Sequence, residues 1–308
     1  MKTILGGALL ALALALPAAA QGPAAGIPGV IAAGTMPELV QESFVFTEGP
    51  VAAPDGGLYF TDVRAEKIYR LDAAGKIGVL VERSGGANGL AVNRDGEVFW
   101  VEGTGKRVVK WSRDGAMTAL AASTDARPFL APNDLIPDAK GGIYFTDPGP
   151  RPVVAGRPTA VFYLPPGAKD PVVLDGQVAR PNGVTLTTDG KTLIVADTIG
   201  ITLFAYDVQP DGTVRNKRTF AAVRDIAPGQ ESGADGIAID RDNRLYVTTV
   251  TGVQVFDAAG VYLGTIKLAR QPANVAFSGP GKRTLYITAR EGLYKVAMLA
   301  QGPDRPGK

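Results

Sequence analysis

Six oxygen-bearing side chains, Glu48, Asn88, Asn133, Asn182, Asp235 and Asn274, recur along the chain at spacings of 40, 45, 49, 53 and 39 residues. Each stands just ahead of a short apolar run, as in "EGPVAAPDGGLYFTD", "NGVTLTTDGKTLIVAD" and "DGIAIDRDNRLYVTT". Two carboxylates and several amide oxygens form an oxygen-only donor set of the kind that suits Ca²⁺, with Mg²⁺, Mn²⁺ or Zn²⁺ as alternatives. The chain has no histidine and no cysteine. That excludes Ser-His-Asp and Cys-His catalysis, histidine bases, haem on histidine, disulfides, and zinc held by His or Cys. Chemistry must therefore rest on carboxylates, amides, hydroxyls, Lys, Tyr or a hard metal ion. A turn role competes with the site reading, because Asn or Asp before Gly favours tight turns. It fits Asn88 and Asn182 and accounts poorly for the long carboxylate of Glu48.

These residues need a scaffold that brings six distant positions together. Each recurring unit reads as a short apolar strand, a turn such as "PDGG", "RDG" or "RDN", and a β-branched or aromatic strand such as "LYFTD" or "LIVAD". Two further strands follow in the clearer units, for example "KIYRLDAAG" and "KIGVLVE". Four antiparallel strands per unit of about 40 to 50 residues mark a propeller blade, so the expected fold is an all-β, six-bladed β-propeller over residues 38–300. The last unit supplies only three strands, and "ELVQESFVF", residues 38–46, is expected to complete it and close the ring. Residues 21–37 read as a flexible lead and 301–308 as a polar tail. Tyr59, Tyr144, Tyr246 and Tyr286 share one place in four units and read as core, as do Trp100 and Trp111 between blades. First strands line a propeller's axis, so the six recurring residues converge on one mouth of the channel. Asp62, Glu102, Asp147 and Asp197, which end the second strands, should reach the same face, with Glu102 and Asp147 the foremost candidates for substrate contact. Arg127 and Arg180 lie upstream of "APND" and "PNG" and read as loop residues or as sites for an anion.

The first twenty residues, "MKTILGGALLALALALPAAA", have the charged start, apolar run and small-residue exit of a secretory signal cleaved after Ala20. A periplasmic or secreted protein is expected, free of the membrane after cleavage. The full chain has 32 Lys and Arg against 30 Asp and Glu. So balanced a charge favours no nucleic acid, and a small molecule is the expected partner of a monomer or small homo-oligomer.

The motifs "EGPV", "PND", "PNG", "DGIAID" and "YFTDP" resemble those of the SMP-30/gluconolactonase/LRE family, in its bacterial gluconolactonase-like branch. The resemblance implies calcium held by Glu48, Asn133, Asn182 and Asp235, and hydrolysis of a lactone, such as a sugar lactone like gluconolactone. Asp235 is then the candidate general base, with a nucleophilic role as the alternative, and Asn88 and Asn274 would hold water or substrate hydroxyls. The same cage would also support hydrolysis of organophosphate-type esters, or serve a non-catalytic binding propeller. The chain departs from the family at Gly103, where many relatives carry a histidine, and at "FTDPGPRP", where relatives often read "FTDPPYG".

Overall fold

The computed structural model describes residues 25–152, 159–304 and Gly307. The expected signal segment lies outside them. Strand β1 (Glu38–Glu42) comes first in the chain. The first blade follows as β2 (Thr47–Ala52), β3 (Leu58–Asp62), β4 (Lys67–Leu71) and β5 (Ile77–Glu82). The second is β6 (Ala87–Val92), β7 (Val98–Glu102), β8 (Arg107–Trp111) and β9 (Met117–Ala122). The third is β10 (Leu135–Pro137), β11 (Ile143–Asp147), β12 (Ala160–Leu164) and β13 (Val172–Asp175). The fourth is β14 (Pro181–Leu186), β15 (Thr192–Asp197), β16 (Thr202–Val208) and β17 (Val214–Ala222). The fifth is β18 (Ile237–Ile239), β19 (Leu245–Thr249), β20 (Gly252–Phe256) and β21 (Tyr262–Ile266). The last is β22 (Asn274–Ser278), β23 (Thr284–Ala289) and β24 (Gly292–Ala297), and β1 pairs antiparallel with β24 as its fourth strand. The result is a six-bladed, all-β propeller of four-stranded antiparallel sheets.

Local chemistry sets the hairpins. In the inner turns an Asp or Asn side chain accepts backbone N–H groups further round the turn, as Asn93 Oδ1 does from Asp95 and Glu97, and Asp138 Oδ1 from Lys140 and Gly142. Packing sets the rest. Apolar faces of neighbouring blades press together, with Val51 of the first blade against Leu90, Val98 and Trp100 of the second. Trp100, Tyr144 and Tyr246 are fully buried and Tyr59, Tyr286 and Trp111 half-buried against the same layers, so these aromatics are core. Phe44, just past β1, inserts beside Phe60, Leu71 and Leu293 and fastens the first blade to the last.

Two segments that read as loose are docked. Ile27, Val30 and Ile31 are buried against Tyr246, Val253 and Phe277, and the Val30 carbonyl accepts the Leu299 and Ala300 N–H groups. The lead carries enough apolar surface in "GIPGVI" to seal the outer seam between the last two blades. In the tail, Gly307 exchanges two backbone hydrogen bonds with Val92 of the second blade, and Lys282 Nζ donates to the Pro303 carbonyl at 2.6 Å. Among the described residues no helix is long and apolar enough to cross a membrane.

Candidate metal centre at the propeller axis

The first strands of successive blades are neighbours around the axis: β2 lies between β22 and β6, β10 between β6 and β14, and β18 between β14 and β22. Glu48, Asn88 and Asn182 lie inside their strands, Asn274 opens β22, and Asn133 and Asp235 stand two residues ahead of β10 and β18. The turn reading therefore fails at Asn88 and Asn182, which are strand residues. The glycines that follow have another purpose. A β-carbon on Gly183 would overlap the Asp235 carbonyl of the next blade, and one on Gly236 would overlap the Asn274 side chain. Glycine is thus required for neighbouring blades to close on each other at the ring. Pairing is also interrupted beside the site residue, between Glu48 and Val51, Ala87 and Leu90, and Pro181 and Val184. Such irregularities re-aim side chains that a regular pleat would send into the sheet.

Threonines of the second strands lock the ring from blade to blade. Thr61 Oγ1 donates to the Asn88 carbonyl at 3.0 Å, Thr146 Oγ1 to that of Asn182 at 2.6 Å, and Thr248 Oγ1 to that of Ala273 at 2.8 Å. Glu48 is buried, and its Oε2 accepts from Asn274 Nδ2 at 3.0 Å and from the Gly49 N–H at 2.9 Å. Asn182 Nδ2 donates to Thr198 Oγ1 at 3.0 Å, while Thr198 gives its own proton to the Ala234 carbonyl at 2.9 Å. That relay fixes the amide orientation and turns Asn182 Oδ1 away from Thr198. Asn133 is half-buried, with its backbone held by the Gly89 N–H and the Thr146 carbonyl.

Three side-chain oxygens are closed off from solvent with no donor among the described residues: Asn88 Oδ1, Asn182 Oδ1 and Asp235 Oδ1. Buried acceptors without a partner are costly and rare, and all three belong to the axial ring. A hard cation is the partner that satisfies several oxygens at once, so the residues present fit such an ion. Among the described residues no group of three or more acidic side chains is arranged to hold a metal, so a cation held here would need amide oxygens as well.

A third carboxylate belongs to the same region. Asp134 is fully buried, its Oδ1 accepting the Leu135 N–H at 2.9 Å and its Oδ2 the Val184 N–H of the next blade at 3.0 Å. The sequence reading passed over it as part of "PND"; the available signal was an acid immediately before an apolar strand, as at Glu48. Burial first, then the charges of Glu48 and Asp134, push the Asp235 carboxyl well above the usual carboxylate range, opposed by Arg290 and Arg180. Like charges gathered in one site call for a proton or a cation.

The acids ending the second strands have partners of their own. Asp147, proposed as a substrate contact, accepts from the N–H groups of Leu130, Ala131 and Gly149 at 2.6, 2.8 and 3.1 Å. Asp62 accepts in the same way from Val45 and Phe46, and Asp197 from Arg180. Each carboxylate thus clamps the loop that leads into its own blade's first strand and sets the height of the ring residue two or three positions on. Glu102 instead takes a two-pronged pair from Arg107, at 2.8 and 2.9 Å, and the Trp100 indole N–H at 3.3 Å. Both candidates are buried under the rim with structural partners. Arg180 is also buried and donates to the carbonyls of Pro148, Gly149 and Pro150, holding the "DPGP" loop. Arg127 donates to the Pro171 carbonyl at 2.8 Å. Gly103 leaves room, since a β-carbon there would meet nothing closer than 3.6 Å.

A six-bladed propeller with an oxygen-lined axial ring and no histidine defines the class. The chain belongs to the SMP-30/Gluconolactonase/LRE-like family, whose pattern matches residues 46–291. It is 24% identical to a gluconolactonase of Zymomonas mobilis, over 88% of this chain and 83% of that protein. It is 27% identical to a diisopropyl-fluorophosphatase of the squid Loligo vulgaris, over 82% and 88% of the two chains. A solved gluconolactonase from Xanthomonas campestris superposes with a TM-score of 0.75 at 25% identity, covering 86% of this chain and 90% of its own.

Proposed function

We propose that the protein is a divalent-cation-dependent lactonase, with Ca²⁺ as the first candidate and a sugar lactone such as gluconolactone as the substrate. The observation that carries this reading is that three buried oxygens of the axial ring, Asn88 Oδ1, Asn182 Oδ1 and Asp235 Oδ1, have no donor among the described residues, in the ring that also holds the buried carboxylate of Glu48. Glu48, Asn133, Asn182 and Asp235 would hold the ion. When bound, the cation supplies Lewis-acid polarisation of the lactone carbonyl and stabilises the charge that develops on its oxygen.

The chain's own residues do the remainder. Water adds across the acyl C–O bond: its oxygen joins the carbonyl carbon, and the ring oxygen leaves as a hydroxyl bearing a proton. Glu48 already accepts two hydrogen bonds, whereas none among the described residues reaches the Asp235 carboxylate, which makes Asp235 the group placed to take the water's proton. Asn274 is held by Glu48 and orients what binds beside it, and Asn88 offers Oδ1 to a water or a substrate hydroxyl. Likeness to the squid enzyme supports a second reading, phosphoester-type hydrolysis at the same ring.

Metal content and hydrolysis of a lactone panel and an organophosphorus fluoridate, measured for wild type, Glu48→Gln and Asp235→Asn with Ca²⁺, Mg²⁺, Mn²⁺ and Zn²⁺, test both. Lactone opening that requires the ion and falls at least about 100-fold in both variants is expected. A bound ion without hydrolysis would leave a binding propeller. Export is proposed with it: N-terminal sequencing of the exported protein should begin at Gln21, and an intact Met1 there would refute cleavage.

A further inference from the structure

Beside the axial ring, where the first and last blades meet, two guanidinium groups share one aromatic ring. Arg64 lies 5.3 Å and Arg290 5.5 Å from the centroid of Phe46. Phe46 is half-buried, two residues before Glu48. Arg290 follows β23, and its carbonyl accepts both the N–H and the Oγ1 of Thr47, at 2.7 and 3.0 Å. Those bonds help to hold Arg290 in the left-handed backbone region, at φ 56°, which an arginine adopts only when its surroundings impose it. Its side chain donates to Gln271 Oε1, and its charge is felt at Asp235. The platform therefore adjoins the reacting end of the site.

Neither arginine makes an ion pair with a carboxylate among the described residues, whereas two other arginines are engaged: Arg151 with Glu231 at 2.7 Å and Arg180 with three carbonyls. Two like charges on one ring repel, and an arriving anion relieves that repulsion while gaining charge-assisted hydrogen bonds.

We propose that Arg64, Arg290 and Phe46 form a subsite for an anionic substituent of the substrate, a carboxylate or phosphoryl group on the lactone remote from the carbonyl being attacked. This rests on the lactonase reading and refines its substrate: an acidic sugar lactone is preferred over neutral gluconolactone. A positioning role of this kind falls on binding, so KM carries the effect.

The test compares a neutral six-carbon aldonolactone, the corresponding lactone with a terminal carboxylate, and the 6-phospho lactone, using wild type, Arg64→Gln, Arg64→Glu and Arg290→Gln. A KM for one anionic lactone at least about tenfold below that of the neutral one is expected in wild type, and which anion wins identifies the group. The ratio should narrow in both Gln variants and reverse in Arg64→Glu, a change at an exposed position. Equal KM values in wild type, or a ratio that neither Gln variant moves, would overturn the subsite. If wild type opens no lactone, the lactonase reading falls. The subsite is then decided by binding: glucarate should raise the wild-type thermal midpoint more than glucitol does, and Arg64→Glu should abolish the difference. Equal shifts would overturn it.

Discussion

Asp235 illustrates how one side chain carries opposite consequences with and without an ion. Its folded pKa is raised by burial and by the neighbouring charges of Glu48 and Asp134, so the folded chain binds a proton that the unfolded chain releases. In chelator, the resulting penalty is absent below the ordinary carboxylate range, grows as pH rises from that range toward the raised folded value, and is complete above it. The thermal midpoint of wild type, minus that of Asp235→Asn, should therefore fall as pH rises across this window. Saturating Ca²⁺ should flatten the difference, because the cation takes the place of the proton. A flat difference in chelator would mean that Asp235 is ionised without cost. Glu48→Gln should weaken cation binding as well. It also leaves Asn274 Nδ2 facing a neutral amide, so a loss of activity needs the metal content beside it to be interpreted.

At the level of loops and strands, the second-strand carboxylates act as rulers. Asp147→Ala would remove the acceptor of three N–H groups and should destabilise the chain by about 2–3 kcal/mol in urea titration. It should also disturb Asn133, and hence lower metal affinity, although Asp147 itself is no ligand in this scheme. An Asp147→Ala protein with wild-type metal affinity would show that the loop keeps its height unaided. Gly236→Ala should cost about 2–3 kcal/mol through the overlap with Asn274. Since the backbone there needs no left-handed angle, an Asn274→Ala background should recover part of that loss; no recovery would place the clash elsewhere. Repeat spacing and the acid-plus-glycine motifs pointed to these positions. The purpose of the glycines did not follow from them, because "NG" favours a tight turn and permits a close approach equally well.

For the whole molecule, closure of the ring is the event on which the axial site depends. Strand β1 covers the edge of β24, Phe44 packs across the join, and Glu42 pairs with Arg270. Deleting residues 25–42 should expose that edge and the core patch beneath Ile27, Val30 and Ile31. A fall in thermal midpoint of about 10 °C or more, with concentration-dependent aggregation, is expected. Glu42→Gln, which removes an exposed pair and keeps the strand, should cost at most about 1 kcal/mol. If the two changes have equal effects, the ion pair and not the strand closes the ring.

Six blades, their four-strand plan, the closing strand and the candidate ring residues were legible from sequence, because a repeat of one supersecondary unit leaves a periodic trace that needs no three-dimensional information. Asp134, the clamping role of Asp147, the pairing of Glu102 with Arg107, the docked ends and the arginine pair on Phe46 were not. Each depends on which group from a distant blade comes within hydrogen-bonding or packing distance. A carboxylate beside a strand reads the same whether it faces an ion, an arginine or three backbone N–H groups. Only the closure of the ring supplies the partner, and with it the difference between a side chain satisfied by its own loop and one left at the axis with no donor among the described residues.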